Sequence, residues 1–221
     1  MTDPAPTPYP GRRFAAFLFD MDGTLITSIE SANRAWSEWA QGHGIDPHHV
    51  LSILHGVRTI ETMRRLGVAD PEKEAAAITA REIEDTSGVT AIPGAAAFLA
   101  ALPAERWAIV TSASRPLAEA RLAAAGIPVP PVLVTSEDVV HGKPDPACFR
   151  LGAERLGVDV ADCLVFEDTI AGLTAADAAG AAAIAITATH THPIGTAHPA
   201  ISDYRGLTVA TEADGLTIAA G

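Results

Sequence analysis

The chain has 221 residues, 48% of them hydrophobic, and a formal net charge of −12. This length fits one large domain, or one domain carrying a smaller insertion, with apolar mass enough for a sizeable core. The acidic balance argues against a non-specific nucleic-acid binder, yet an anionic substrate stays open wherever a metal ion or a few local cations reverse the field.

The N-terminal stretch MTDPAPTPYPGRR carries four prolines and lacks the apolar core of a signal peptide, so residues 1–13 are expected to form a flexible leader. No uninterrupted apolar stretch is long enough to span a bilayer. Two cysteines, Cys148 and Cys163, suggest no disulfide framework. The expectation is a soluble cytoplasmic protein with neither membrane nor nucleic acid as partner, a monomer or a small homo-oligomer.

Along the chain, five short apolar runs read as strands: Ala15–Phe19, Trp107–Thr111, Val132–Thr135, Cys163–Phe166 and Ala182–Thr187. Continuous runs of this kind fit strands buried on both faces, as in a parallel sheet. Helix-like segments lie between most of them. One starts at Ser114 with Pro116 in its first turn, one at Asp145–Pro146, and one runs from Thr169 to Gly180. Alternating strand and helix predicts a doubly wound α/β domain. The stretch from Thr27 to Ala91 breaks the rhythm. Thr27 and Glu30 read as a capping box, followed by an apolar face of Ile29, Trp36, Trp39 and Ala40 and by helical segments near Pro47–Leu54, Thr59–Leu66 and Pro71–Asp85. With no strand legible there, residues 27–91 are expected to be an all-helical insertion hinged near Leu25–Ser28 and Thr90–Gly94. The main domain then comprises 14–26 and 92–221.

In an open parallel sheet, ligands bind beyond the carboxyl ends of the strands. Here the first strand runs straight into Asp20 and Asp22, the second into Thr111 and Ser112, and the fourth into Glu167 and Asp168, with Lys143 shortly before the helix leading to the fourth. Carboxylates gathered so closely repel one another unless a cation sits among them, and oxygen ligands in an aqueous cleft suit Mg²⁺. A lysine beside them can neutralise a phosphate. These parts point to phosphoryl transfer, with an aspartate as nucleophile through an aspartyl-phosphate. Strand alternation returns Asp22 to the side of Asp20, where it suits a general acid to the leaving oxygen and then a base to water. Gly23 permits the sharp turn that follows.

The segments DMDGTL, VTSAS, HGKPDP and VFEDTIAGLTAADAAG, in this order, resemble the four motifs of the haloacid dehalogenase (HAD) superfamily. The resemblance covers nearly the whole chain after the leader. It implies a Rossmann-like core with an inserted C1-type helical cap. It also implies Asp20 as nucleophile, Asp22 as acid/base, Ser112 and the Ala113 amide on the phosphoryl group, and Lys143 bridging phosphate and nucleophile. Asp168 becomes a Mg²⁺ ligand beside Asp20 and the Asp22 carbonyl, with Glu167 direct or one step removed. Thr111 is the alternative phosphate-binding hydroxyl.

Each residue also has a plainer reading. Asp20 and Asp22 could be a polar strand-end turn, Ser112 a cap, Lys143 a solvated lysine and Glu167 a helix-dipole partner. The four motifs in order favour the functional roles. Trp36 and Trp39 fit cap core better than a substrate platform. His48, His49, His190, His192 and His198 fit solvated segments better than a metal site. In LHGVRTIET, by contrast, His55, Gly56 and Arg58 form a candidate specificity loop that reaches the leaving group.

Within the superfamily, HGVRTIETM and WAIVTSAS resemble the sugar-phosphate and polyol-phosphate phosphatases, which implies a small phosphorylated metabolite as substrate. The β-phosphoglucomutase-like proteins and phosphoglycolate phosphatase are the rivals. Those mutases carry a histidine in the first cap helix where this chain has Ala32, and their loop arginine falls where it has Thr59, which favours hydrolysis. A dehalogenase would need no second carboxylate, so Asp22 speaks against it. A catalytically silent phosphometabolite-binding protein should have lost one of Asp20, Asp22, Lys143 or Asp168.

Overall fold

The computed structural model describes residues 7–212 and 214–220. Strand β1 (Ala16–Phe19) is buried at every position. Its alternating side chains serve two cores, one on each face of the sheet. Phe17 and Phe19 join Phe98, Phe166, Trp107 and Tyr204 on one face, while Ala16 and Leu18 join Val110, Phe149 and Val165 on the other. The Phe19 and Phe166 rings stack 4.6 Å apart, fixing the two neighbouring strand ends side by side.

A short strand β2 (Ile26–Thr27) pairs antiparallel with β3 (Thr90–Ala91), closing the two ends of the helical stretch together. Sequence reading placed no strand between Thr27 and Ala91; these two-residue pairings are too short to show as periodicity. Between them lie α1 (Ile29–Gly42), α2 (Pro47–Leu54), α3 (Thr59–Arg65) and α4 (Pro71–Glu84). They share a core of their own, built on Trp36, Trp39, Val50, Leu54, Met63 and Ile78. Asp46 and Asp70 cap α2 and α4 by accepting from His48 N and Lys73 N, each with a proline in the first turn. The expected capping box at Thr27 and Glu30 does not form. Thr27 belongs to β2, Ser28 is the residue preceding α1, and its hydroxyl donates to Asp22 Oδ1 at 2.5 Å.

The chain returns through α5 (Ala95–Ala100), β4 (Trp107–Val110), α6 (Arg115–Ala124), β5 (Leu133–Val134), α7 (Ala147–Leu156), β6 (Cys163–Glu167), α8 (Ile170–Ala179), β7 (Ala182–Ile186) and β8 (Ala200–Ile201). The main sheet has the order β5-β4-β1-β6-β7-β8, and its pairings are parallel. All five strands expected from the sequence are present, and β8 is an addition. A hairpin of β9 (Leu207–Glu212) and β10 (Gly215–Ala220) lies outside the main sheet and is tied to it where Phe14 bridges Leu216.

Residues 1–6 of the expected leader lie outside the described residues. Residues 7–13 are held against the main domain rather than free. The Tyr9 hydroxyl donates to Ala183 O at 2.8 Å and its ring meets Phe14 edge-on. One aromatic side chain with a satisfied hydroxyl outweighs the extended tendency of the surrounding prolines.

Candidate active site

The central position of β1 decides where the chemistry lies. The sheet order changes direction about β1, between β4 and β6, which is where open α/β sheets leave a crevice. Asp20 follows β1 directly, its amide donating to Phe166 O at 2.9 Å. The chain then turns tightly, with the amides of Thr24, Leu25 and Ile26 all donating to Met21 O. Gly23 adopts φ +86, and a Cβ there would sit 2.0 Å from Asp168 Oδ2, so both conformation and space demand glycine.

Lys143 enters from the loop before α7 and uses all three ammonium protons. They go to Asp20 Oδ1 at 2.6 Å, Glu167 Oε1 at 2.8 Å and Val110 O at 3.1 Å. Asp168 accepts from Thr24 Oγ1 at 3.2 Å. Glu167 Oε2 accepts from Thr169 N at 2.6 Å and from Thr169 Oγ1 at 3.0 Å, while Thr169 caps α8. Gly172 faces Glu167 so closely that a Cβ would lie 1.8 Å from its Oε1. Oxygens of Asp20, Glu167 and Asp168 lie within 4.8 Å of one another.

Three buried carboxylates thus face one ammonium, and the imbalance shows in their proton affinities. Burial pushes Asp20 up to about 8, against the pull of Lys143 and with the help of Glu167. Burial, then Glu167 and Asp20, raise Asp168 well above the usual carboxylate range. Although burial alone would lower it, Lys143 is raised by Asp20 and Glu167 and stays charged. A protonated Asp20 is a poor nucleophile, and a cation among these oxygens restores the carboxylate. The donor set, all oxygen and anionic, fits a hard divalent ion.

Asp22, two residues after Asp20, borders a cavity with it and has partners of its own. Its Oδ1 accepts from Ser28 Oγ and, at 3.0 Å, from Arg121 Nη1. Arg121 Nη2 donates to Glu82 Oε1 at 2.8 Å, so one guanidinium on α6 joins the loop after β1 to the last turn of α4. Burial is the main influence raising Glu82, opposed by Arg121.

Asp20, Asp22, Thr111, Ser112, Ala113 and Asp168 all border a cavity of about 500 Å³ between the sheet end and the helical unit, together with His55 and Gly56. Thr111 and Ser112 diverge. Thr111 is buried at the end of β4 with Oγ1 accepting from Ala113 N, whereas Ser112 Oγ turns to the helical unit and donates to Gly56 O at 3.2 Å. Arg58, expected beside the leaving group, is absent from this wall. Its Nη1 and Nη2 donate to Val139 O at 3.1 Å and Val140 O at 2.9 Å, and it pairs with Glu61, which also reaches Gly142 N. It fastens α3 to the loop that carries Lys143. Trp36 is core, as expected, but also borders the cavity, while Trp39 donates to Glu74. The late histidines lie in a largely exposed segment, as expected, and the exposed His190 also donates through Nε2 to Asp168 O at 2.7 Å.

Sequence reasoning overlooked Arg121, Glu82, Ser28, Thr24 and Thr169. A signal for the first two existed. Arg121 falls four residues after Leu117 on the apolar face of α6, and Glu82 four after Ile78 on that of α4. A charged residue on a buried stripe needs a partner.

A turn of two aspartates after the first parallel strand, a lysine spanning two of the strand-end carboxylates and an inserted helical unit above them define a hydrolase of the haloacid dehalogenase type. The haloacid dehalogenase-like hydrolase family matches residues 14–180, and the chain belongs to it. It is 44% identical over 185 residues to hexitol phosphatase A of Escherichia coli (strain K12), covering 80% of this chain and 84% of that protein. It is 33% identical to glycerol-1-phosphate phosphohydrolase 2 of Saccharomyces cerevisiae, over 79% of this chain and 75% of the relative. Among solved structures, a mutant of CbbY from Rhodobacter sphaeroides in complex with xylulose-(1,5)bisphosphate superposes with a TM-score of 0.74 at 26% identity, covering 86% of this chain and 95% of that one.

Proposed function

We propose that this protein is a Mg²⁺-dependent phosphatase that hydrolyses a small sugar or polyol phosphate through an aspartyl-phosphate on Asp20. The observation that carries the reading is the Lys143 bridge from Asp20 to Glu167, with Asp168 alongside, at the floor of a cavity roofed by α1–α4. The named relatives act on esters of this class, and the sequence alone led to the same class.

The substrate's phosphoryl group enters over Asp20, whose carboxylate oxygen attacks phosphorus as the bond to the leaving oxygen breaks. Asp22 gives its proton to that oxygen, so a neutral alcohol departs. Asp22 then takes a proton from water, whose oxygen attacks phosphorus and breaks the bond to Asp20, regenerating the carboxylate and releasing phosphate. Lys143 neutralises charge on the transferring group, and the Ala113 amide with the Thr111 or Ser112 hydroxyl binds its oxygens. Ser112 is the first choice, since its bond to Gly56 O is to the cap and is given up when the cap moves, and Thr111 is the alternative. Asp20, Asp168 and the Asp22 carbonyl would hold Mg²⁺, with Glu167 outside them because its oxygens already serve Lys143 and Thr169; the ion supplies charge neutralisation on the phosphoryl oxygens. The helical unit, residues 27–91, acts as a cap that excludes water during the first step, with hinges at its two junctions. Ala32 on the cavity wall offers no proton-transfer group, which favours release over return of the phosphoryl group. Among the described residues no helix is long and apolar enough to cross a membrane, and both cysteines are free; we place the enzyme in the cytoplasm.

The test is phosphate release from a panel of polyol, sugar and small-acid phosphates, with and without Mg²⁺. Asp20→Asn should abolish it without loss of fold. A verified mutant keeping a tenth of the activity would remove Asp20 as nucleophile.

A further inference from the structure

Beside Asp22 the cavity is also lined by Ile29, Ala32 and Trp36, which supply apolar wall, and by Arg121 and Glu82, which supply charge; the Trp36 side chain hydrogen-bonds Glu82 as well. Arg121 is 5% exposed and Glu82 3%. A buried ion pair is a poor stability device, because desolvating both charges offsets most of their attraction. This one also leaves Arg121 Nε buried without a partner among the described residues, a cost a purely structural pair would be expected to shed. Few polar groups set in an apolar wall are the usual means of orienting a small ligand.

The charge balance here is also informative. Arg121 is the one arginine or lysine among the described residues that border the cavity, and two carboxylates, Asp22 and Glu82, already share it. The other nearby arginine, Arg58, is turned to Val139 and Val140. Burial keeps His55 below its ordinary proton affinity. An ester whose leaving group carried a carboxylate or a second phosphate would bring that charge against Asp22 and Glu82 with no unspent arginine or lysine to receive it.

Resting on the phosphatase reading above, we propose that the Arg121–Glu82 pair is the specificity determinant. Glu82 accepts from, and the Arg121 guanidinium donates to, hydroxyls of an uncharged polyol leaving group, and the pair turns away leaving groups that are anions. A site built to hydrogen-bond hydroxyls discriminates strongly because its polar groups are left unpaired by the wrong ligand.

Glycerol phosphate and phosphoglycolate make a size-matched pair of probes, one with a neutral and one with an anionic leaving group. The wild-type enzyme with Mg²⁺ should prefer glycerol phosphate by about a hundredfold or more in kcat/KM. Glu82→Gln removes a negative charge and frees part of the Arg121 charge, so the preference should fall by about tenfold or more; Arg121→Lys, which keeps the charge, should lose less. A wild-type enzyme that cleaves both esters equally overturns the proposal without any variant. So does a Glu82→Gln enzyme that loses activity on both in the same proportion, which would make the pair a tie between α4 and α6 only. A wild-type enzyme inactive on every phosphate ester would instead overturn the phosphatase reading, and this proposal with it.

Discussion

Arg58→Ala tests how the helical unit is held over the catalytic floor. The substitution removes two charge-assisted hydrogen bonds, to Val139 O and Val140 O, and leaves Glu61 without its cation. Hydrogen bonds to charged groups contribute about 1.5–3 kcal/mol each. Val140 is 81% exposed, so its carbonyl regains water when the arginine leaves and much of that bond is recovered. A net loss of about 2 kcal/mol in the closed state remains, or about thirtyfold in kcat/KM where closure precedes chemistry. The loss should be equal for a polyol phosphate and for p-nitrophenyl phosphate, since the arginine touches the loop before Lys143 and not the cavity. Arg58→Lys should recover only part of it, because one ammonium lacks the fork that spans two carbonyls. The assay is steady-state kinetics on both esters, with thermal melting to confirm the fold. A loss confined to the polyol ester would refute the argument and return Arg58 to the leaving group.

Two further outcomes follow from the charges. Mg²⁺ at about a hundredfold over its dissociation constant should stabilise the protein by about 2.7 kcal/mol and raise Tm by about 5 °C, by relieving the crowding of Asp20, Glu167 and Asp168; Asp168→Asn should largely abolish the shift, and a wild-type protein with no shift would count against the ion. Asp138, held down to about 2 chiefly by its hydrogen bond from Arg155, has a folded value below its unfolded one. Its stabilisation is therefore complete above the ordinary carboxylate range and lost as pH falls from about 4 through about 2. Because solvent screens this pair, Asp138→Asn should cost only about 1 kcal/mol at neutral pH in urea titrations, with the gap to wild type closing over that acid window; a gap independent of pH would assign the loss to packing.

What was legible in the sequence was what a local pattern can carry. β1, β4, β6 and β7 are buried on both faces, so each is a continuous apolar run, and their polar ends announced Asp20, Asp22, Glu167 and Asp168. β8 has two residues and β9 alternates across a half-exposed ribbon, so neither stands out. Arg121 and Glu82 meet across 39 positions through the packing of α4 on α6, a contact no window along the chain contains. Arg58 was misread for the same reason. Its donors were evident in LHGVRTIET, but their direction depends on carbonyls about eighty residues further on. His190 was hidden by the prolines around it, since a loop that reads as solvated can still lay one ring against Asp168 O.

The place of β1 in the sheet has a consequence for the protein's birth. On the ribosome this strand is made long before the strands on either side of it, which begin at Trp107 and Cys163. Until they emerge, Phe17, Leu18 and Phe19 have no sheet to enter, and an unpaired apolar strand is a hazard that chaperones exist to shelter. Pairings this distant in sequence also slow folding. Nascent chains that stop short of Glu167 carry Asp20 but lack Glu167 and Asp168, the other two carboxylates of its cluster. The carboxylate cluster proposed to hold the ion therefore assembles only after β6 has been made.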